Sequence, residues 1–179
     1  MSEYYELKVA GLTRQLPICK VDEHLSIAAF IMFSDVEMTV ASATELLKRV
    51  PEYDVLLTAE SKGIPLAYEM SRQSGKKYIL ARKSVKLYMR DPVAVEVKSI
   101  TTADIQKLYL DAEDLAYLKD RRVLIVDDVI STGRSLHSLE SLVEKAGGII
   151  SGRAAVLAEG DAMERKDIIY LAPLPVFTR

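Results

Sequence analysis

The sequence predicts an α/β fold, a mostly parallel, twisted sheet flanked by helices. Short apolar runs rich in β-branched residues alternate along the chain with amphipathic helical stretches. Strands that alternate with helices imply right-handed crossovers, and such crossovers join parallel strands. The chain has 179 residues, of which 49% are hydrophobic, so it is long enough to bury one core without disulfides.

The predicted elements follow one another from residue 36 onward, whereas residues 1–21 show no periodic pattern and are interpreted as irregular. A first helix is indicated by apolar residues at helical spacing (Val36, Val40, Ala43, Leu47 and Val50), and Pro51 ends it. The next elements are strand Tyr53–Ala59, helix Ile64–Ser74, strand Lys77–Ala81, a hairpin arm at Val93–Val97, strand Arg121–Val126, loop Asp127–Gly133, helix Leu136–Ala146, strand Ile149–Ala158 and a tail with a short strand Ile168–Leu171 and a turn-rich Ala172–Pro175.

Composition excludes several classes of protein. Charged residues make up 28% of the chain and the net charge is −2, which excludes a disordered chain and a strongly basic nucleic-acid coat. A single cysteine, Cys19, excludes a disulfide framework, and the presence of only His24 and His137 leaves little room for a histidine metal site. There is no 18-residue apolar run and no signal-peptide core, so we expect a cytoplasmic protein that does not enter membranes.

The segment Val123–Ser135 carries the most chemical information. A buried strand leads into two adjacent carboxylates, Asp127 and Asp128, and then into a small polar loop that opens a helix. Backbone N–H groups of that loop, with its hydroxyls, suit an anion, and Gly133 allows close approach of the backbone. Carboxylates repel phosphate, so they suit hydroxyl groups or a hydrated cation. A ribose 5-phosphate with a metal fits all of these features.

The same segment resembles the phosphoribosyl-pyrophosphate (PRPP) motif of type I phosphoribosyltransferases, with a mild departure at Arg134. The resemblance implies the fold of that family, with a small hood and a mobile catalytic loop. It also implies that Asp127 and Asp128 are catalytic and hold the ribose hydroxyls and, directly or through water, Mg²⁺. The residues implied to bind the 5′-phosphate are Ser131, Thr132, Gly133, Arg134 and Ser135.

Two further segments extend the resemblance. Glu60, Ser61, Lys62 and Gly63 resemble the pyrophosphate-binding loop, and residues 82–87 resemble the start of the mobile loop of adenine enzymes. Arg82, Lys83 and Lys86 are thereby implied to bind pyrophosphate, Lys86 from a neighbouring subunit of a homodimer. Residues 84–104 are the predicted lid. We expect a single domain over 1–179, with about 1–35 and 158–179 forming a hood over the base.

The resemblance implies a glycosyltransferase that makes a nucleoside monophosphate and pyrophosphate from PRPP and a purine base. Adenine enzymes carry a glutamate in the mobile loop near the position of Thr101, which weakens an adenine assignment. Xanthine enzymes carry a lysine after the last strand, where this chain has Glu159. Because a carboxylate accepts from an exocyclic amine, Glu159 favours adenine.

Other functions stay open from the sequence. A xanthine or hypoxanthine enzyme is one, and a PRPP-sensing regulator of nucleotide-synthesis genes is another. Such regulators usually need a DNA-binding extension, and 179 residues leave no room for one beside the core. An RNA-binding regulator of pyrimidine genes with the same fold is a further alternative, and it would need a basic concave dimer face. The net charge of −2 also argues against tight DNA binding, so we do not expect nucleic acid as a partner.

Overall fold

The computed structural model describes residues 3–98 and 105–178. Its regular elements, in chain order, are β1 (Tyr4–Val9), β2 (Leu12–Lys20), β3 (Leu25–Ala28), α1 (Val36–Leu47), β4 (Val55–Ala59), α2 (Ile64–Ser74), β5 (Tyr78–Ala81), β6 (Val93–Lys98), β7 (Ile105–Leu110), α3 (Ala112–Leu118), β8 (Arg122–Ile130), α4 (Arg134–Ala146), β9 (Ile149–Glu159), a 3-10 helix (Gly160–Glu164), β10 (Ile169–Leu174) and β11 (Val176–Thr178).

A five-stranded parallel sheet forms the centre of the fold, in the order β10-β9-β8-β4-β5. Every residue of β4 is buried, as expected of a strand covered on both faces. Apolar residues on one face pack with α1 and α2, and those on the other pack with α3, α4 and the β6–β7 hairpin. This arrangement confirms the predicted fold class.

Local sequence sets the bounds of α2 as predicted. Pro65 lies in the first turn, where its missing N–H would have no helical partner. Gly75 ends the helix in the left-handed conformation with φ of 72°, and its N–H donates to Ser71 O. The helix therefore starts immediately after the turn that leaves β4.

The first helix is confirmed, but it ends at Leu47 before reaching Pro51, and only part of its predicted apolar face is buried. Val36 is 72% exposed and Val40 is 37% exposed, while the buried residues include Met38 and Leu46. Asp35 caps the helix by accepting from the Met38 N–H, and this cap sets where the helix starts. The helix therefore buries a mixed face that includes Thr39, and leaves valines outside.

The prediction of an irregular N-terminus is wrong. Residues 4–20 form a hairpin, and β1, β2 and β3 join β11 in a four-stranded antiparallel sheet. The hairpin turns at Ala10 and Gly11, both at positive φ. Leu7, Val9 and Leu16 pack on the same core as α1 and α2, so the second sheet covers that side of the fold.

Three other differences concern element bounds. Strand β8 continues through Asp127 and Asp128 to Ile130, where a loop was predicted, because Asp127 pairs with Ala155 and Val129 with Leu157 of β9. Residues Ala172–Leu174 extend β10 instead of forming a turn. Helix α3 was not predicted, whereas the hairpin arm at Val93–Val97 is confirmed as part of β6.

In residues 3–98 and 105–178, no helix is long and apolar enough to cross a membrane.

Candidate active site

Three loops follow the carboxyl ends of three adjacent strands, β8, β4 and β5. These are the segment after Ile130, the turn Glu60–Gly63, and the segment from Arg82. Ligands of open parallel sheets bind at this edge. The structure thus brings together three segments that are separate in sequence.

The turn after β4 is tied to the neighbouring strand. The Glu60 N–H donates to Ala81 O at 3.0 Å, and the Glu60 carboxylate forms an ion pair with Arg82 Nε at 2.5 Å. Ser61 is exposed, and its carbonyl accepts from the Ile64 N–H at 3.2 Å. Arg82, predicted as a pyrophosphate ligand, therefore lies directly against this turn.

Gly63 is buried where the turn meets β8. A Cβ atom on this residue would lie 2.4 Å from Thr58 Oγ1 and 3.0 Å from Asp127 Oδ1. Its backbone has φ of −78°, so steric room and not an unusual dihedral requires glycine. This contact fixes the distance between the turn and the acidic end of β8.

Asp127 and Asp128 lie near the carboxyl end of β8. Asp128 is buried, and its Oδ2 lies 4.0 Å from Lys62 Nζ. Asp127 Oδ1 accepts from the Asp128 N–H at 2.9 Å. Burial, with the neighbouring Asp128 carboxylate, raises the pKa of Asp127 well above its usual range. Placing two carboxylates next to each other away from solvent destabilises their charged forms, and such perturbed acids are common at functional sites.

Three buried oxygens at this edge have no hydrogen-bond partner in the described structure: Asp128 Oδ2, Thr58 Oγ1 and Glu60 Oε2, the last of which lies in the ion pair with Arg82. Buried polar groups are nearly always paired, so each unpaired one calls for an explanation. Hydroxyl groups of a ligand, or its hydrated cation, would supply partners.

The segment after β8 has a backbone geometry that suits an anion. Gly133 takes the left-handed conformation with φ of 76° and precedes the first turn of α4. The first N–H groups of a helix have no helical acceptors and bind anions. Residues from this loop line a small cavity with Asp127: Ser131, Thr132, Gly133 and Ser135. Arg134 is exposed at the start of α4.

Two other predicted pyrophosphate ligands are not drawn into the site. Lys83 is exposed, and Lys86 Nζ donates to Ser84 Oγ at 2.6 Å. Among the residues with described positions, no hydrogen bond or ion pair joins either lysine to Glu60–Gly63. Residues 99–104 of the predicted lid, among them Thr101, lie outside the described residues.

Glu159 ends β9 and lines a cavity of about 480 Å³ together with Ser131 and Thr132. Apolar side chains of the second sheet, Leu25 and Ile27, line its other side. Burial raises the pKa of Glu159, and the positive charge of Lys62 partly opposes that effect. The predicted base-binding residue therefore shares a cavity with two residues of the predicted phosphate-binding loop.

The predicted metal ligands fit Mg²⁺ only in part. Within the described part of the chain, no group of three or more His, Cys, Asp or Glu side chains is placed to hold a metal. Mg²⁺ commonly uses one or two carboxylates and takes its other oxygens from water and substrate phosphates. Asp127 and Asp128 fit that pattern, because Asp128 Oδ2 accepts no hydrogen bond in the described structure.

Sequence reasoning missed Arg165. This residue follows the 3-10 helix and lines the same cavity as Ser131 and Thr132. The tail has no motif that singles out one cation, so only the fold could place it there.

A parallel sheet with an anion cradle and two carboxylates at its carboxyl edge is typical of α/β proteins that bind phosphorylated ligands. Comparison with known proteins defines the group more closely. The family model "Phosphoribosyl transferase domain" matches residues 35–171, so the chain belongs to that family.

Individual relatives agree with this membership. An adenine phosphoribosyltransferase of Cenarchaeum symbiosum is 36% identical over 118 residues, covering 65% of this chain and 66% of the relative. A hypoxanthine/guanine phosphoribosyltransferase of Methanotorris igneus is 36% identical over 122 residues, covering 66% of this chain and 62% of the relative. The chain thus spans slightly less than two thirds of these relatives.

A crystal structure of adenine phosphoribosyltransferase from Thermoanaerobacter pseudethanolicus has a similar fold. The TM-score is 0.68 at 19% identity, and the match covers 96% of this chain and 95% of that one.

Proposed function

We propose that this protein is a purine phosphoribosyltransferase that joins PRPP and a purine base into a nucleoside monophosphate and releases pyrophosphate. The observation that carries the proposal is the convergence of Lys62, Asp128 and the Ser131–Ser135 cradle at one edge of the sheet. Membership of the family and the names of the relatives support the same reaction.

The two ends of PRPP have separate binding groups in this proposal. The cradle Ser131–Ser135 holds the 5′-phosphate through N–H groups and hydroxyls. Lys62 and Arg82 hold the leaving pyrophosphate beside the turn Glu60–Gly63. Holding both ends aligns the anomeric carbon with the base and lowers the entropic cost of the reaction.

Asp128 and Asp127 have different tasks in the proposed mechanism. The Asp128 carboxylate accepts hydrogen bonds from ribose hydroxyls through Oδ2, which accepts no hydrogen bond in the described structure. Asp127, whose pKa is raised, accepts the proton that the attacking nitrogen of the base loses. Mg²⁺ bound by these carboxylates would neutralise negative charge on the pyrophosphate.

We propose adenine as the base. Glu159 lies in the cavity with the phosphate loop, and its carboxylate can accept from an exocyclic amine. The antiparallel sheet of β1–β3 and β11 contributes Leu25, Ile27 and Val176 to that cavity. We propose that this sheet is the hood over the base.

The direct test is an assay of the whole chain with PRPP, Mg²⁺ and one of adenine, hypoxanthine, guanine or xanthine. Formation of adenosine monophosphate with release of pyrophosphate is the expected result. Product from xanthine or hypoxanthine alone would keep the enzyme and reject adenine. PRPP binding without product from any base would favour the regulator that senses PRPP.

Replacing Glu159 tests the choice of base. Glu159→Gln is expected to lower kcat/KM for adenine about tenfold, because a charged acceptor for the amine is lost. The ratio of adenine to hypoxanthine activity is the measurement. Glu164→Gln, an exposed position in the neighbouring 3-10 helix, is the control. An unchanged ratio would remove Glu159 from base recognition.

We propose a homodimer, and an apolar surface beside the active site supports it. A groove of about 500 Å³ between α1 and α2 is lined by Phe33, Val36, Ile64 and Tyr68, and Ile64 directly follows the pyrophosphate turn. Val36 and Tyr68 are 72% and 57% exposed, which is unusual for grouped apolar side chains unless a partner covers them. A second copy would then stand next to the turn.

Val36→Glu is expected to shift the protein from dimer to monomer, because it places a charge in the surface that the second copy covers. Light scattering coupled to size-exclusion chromatography measures the mass directly. Val21→Glu, at a valine that is 55% exposed outside the groove, is the control. A monomeric wild-type protein at micromolar concentration would contradict the homodimer.

A further inference from the structure

Arg165 lies against the backbone of the phosphate loop. A Cβ atom on Gly133 would be 3.0 Å from Arg165 Nη1, so the guanidinium is in van der Waals range of this turn. Arg165 also lines the cavity that Ser131 and Thr132 line. We infer that Arg165 is a ligand of the substrate's 5′-phosphate, an inference that rests on the proposed function.

The orientation of the Arg165 guanidinium is fixed from one side. Nε donates to Asp167 Oδ1 at 2.9 Å, and Nη2 donates to Asp167 Oδ2 at 2.7 Å. This two-point pairing holds the planar group in one orientation. It uses the Nε–Nη2 edge, so Nη1, the nitrogen near Gly133, is turned towards the loop.

A network of charges anchors this pair to the helix that begins at the loop. Asp167 Oδ2 lies 3.8 Å from Arg153 Nε, and Arg153 in β9 is hydrogen-bonded to Glu140 in α4. The two arginines and two carboxylates balance in charge. Arg165 is therefore held in register with α4, whose first turn forms part of the cradle.

The charges that line the cavity favour a phosphate-binding role for Arg165. Glu159 and Asp161 line the cavity, and Asp127 lines the adjoining small one, so negative charge surrounds the place where a phosphate dianion would bind. Among the described residues that line the larger cavity, Arg165 is the one cation. Neutral N–H and hydroxyl donors alone would face repulsion from these carboxylates. Arg165 Nη1, which the pairing with Asp167 does not use, would add a charge-assisted hydrogen bond beside the cradle.

Arg165→Gln tests the assignment in the whole chain. Calorimetric titration with ribose 5-phosphate, and separately with magnesium pyrophosphate, reports on the two ends of the site. The variant is expected to bind ribose 5-phosphate about tenfold more weakly, because one charge-assisted hydrogen bond is lost. Its affinity for pyrophosphate should stay within about twofold of wild type, and KM for PRPP should rise more than kcat falls.

Two further variants separate binding from a structural role. Arg122→Gln is the matched control, because Arg122 is also held by a carboxylate at two points (Asp54) and lies at the opposite end of β8. It should leave both affinities unchanged. Arg165→Lys should recover part of the ribose 5-phosphate affinity, since it keeps the charge but not the planar donor set.

The outcomes are distinct. Wild-type affinity of Arg165→Gln for ribose 5-phosphate would overturn the inference while leaving the proposed function intact. Equal weakening for ribose 5-phosphate and pyrophosphate would also overturn it, since that indicates a general loss of structure. A wild-type protein that binds neither PRPP nor ribose 5-phosphate would overturn the proposed function, and the inference with it.

Discussion

Asp127→Asn is expected to lower turnover on the order of a hundredfold and, in the protein without ligand, to raise the melting temperature by about 2–4 °C. Turnover falls because the variant cannot accept the proton of the base. Stability rises because the charged form of Asp127 is disfavoured in the folded protein, and asparagine removes that charge. The asparagine Oδ1 still accepts from the Asp128 N–H.

The pH dependence has a definite sign. Since burial and Asp128 raise the pKa of Asp127 above 3.8, the folded protein holds this proton more tightly than the unfolded chain. The contribution to stability is complete below the unfolded value and is lost as pH rises through the raised pKa. Wild type should therefore lose stability across that window, and Asp127→Asn should lose less.

Thermal unfolding of both proteins without Mg²⁺, from pH 4 upward, and steady-state turnover at neutral pH are the measurements. Glu23→Gln, which removes an exposed carboxylate, is the control for net charge. Normal turnover in Asp127→Asn would refute the proton-accepting role. A lower melting temperature at neutral pH would refute the electrostatic argument.

Gly63→Ala is expected to abolish most activity, with a fall in kcat/KM for PRPP on the order of a hundredfold and a loss of stability of about 1–3 kcal/mol. The added methyl group would meet Thr58 Oγ1 at 2.4 Å and Asp127 Oδ1 at 3.0 Å. The turn must then move away from Thr58 in β4 and from Asp127 in β8. Lys62, a proposed pyrophosphate ligand, moves with it.

Gly75→Ala is the matched control, since Gly75 closes the same helix at its other end. No atom lies within 4 Å of a Cβ there, but φ is +72°, so this variant costs backbone strain of about 1 kcal/mol without touching the site. Chemical denaturation measures stability, and initial rates measure activity. Gly63→Ala with wild-type rates would show that the turn does not need its present spacing from Asp127.

The central sheet could be predicted because its signals are local. Buried strands such as Val55–Ala59 are continuous apolar runs, and α2 carries its own start and stop in Pro65 and Gly75. The hairpin of β1 and β2 gave no such signal, because its nine-residue second strand includes Arg14 and Pro17 and buries few side chains. The sheet to which the hairpin belongs is completed by β11, which pairs with β3 and lies far from both in sequence.

The site was predictable where residue type and spacing carry the chemistry, as in Asp127, Asp128 and the Ser131–Ser135 loop. The end of strand β8 was not predictable, because both aspartates belong to the strand only through its pairing with β9. Arg165 could not be found, since its role depends on the contact between the tail and Gly133. Helical spacing of apolar residues also failed to show that Val36 and Val40 of α1 are exposed, because the spacing is the same for a buried face and for an apolar outer surface.

The short strand Val176–Thr178 has a consequence for aggregation. It occupies the outer side of β3 through three residue pairs with Leu25–Ile27. If these three residues were clipped or frayed, the N–H and C=O groups of β3 would become an open sheet edge that could pair with another chain. Strand β11 thus protects β3 from edge-to-edge association. Its removal should cause self-association of molecules that are otherwise folded.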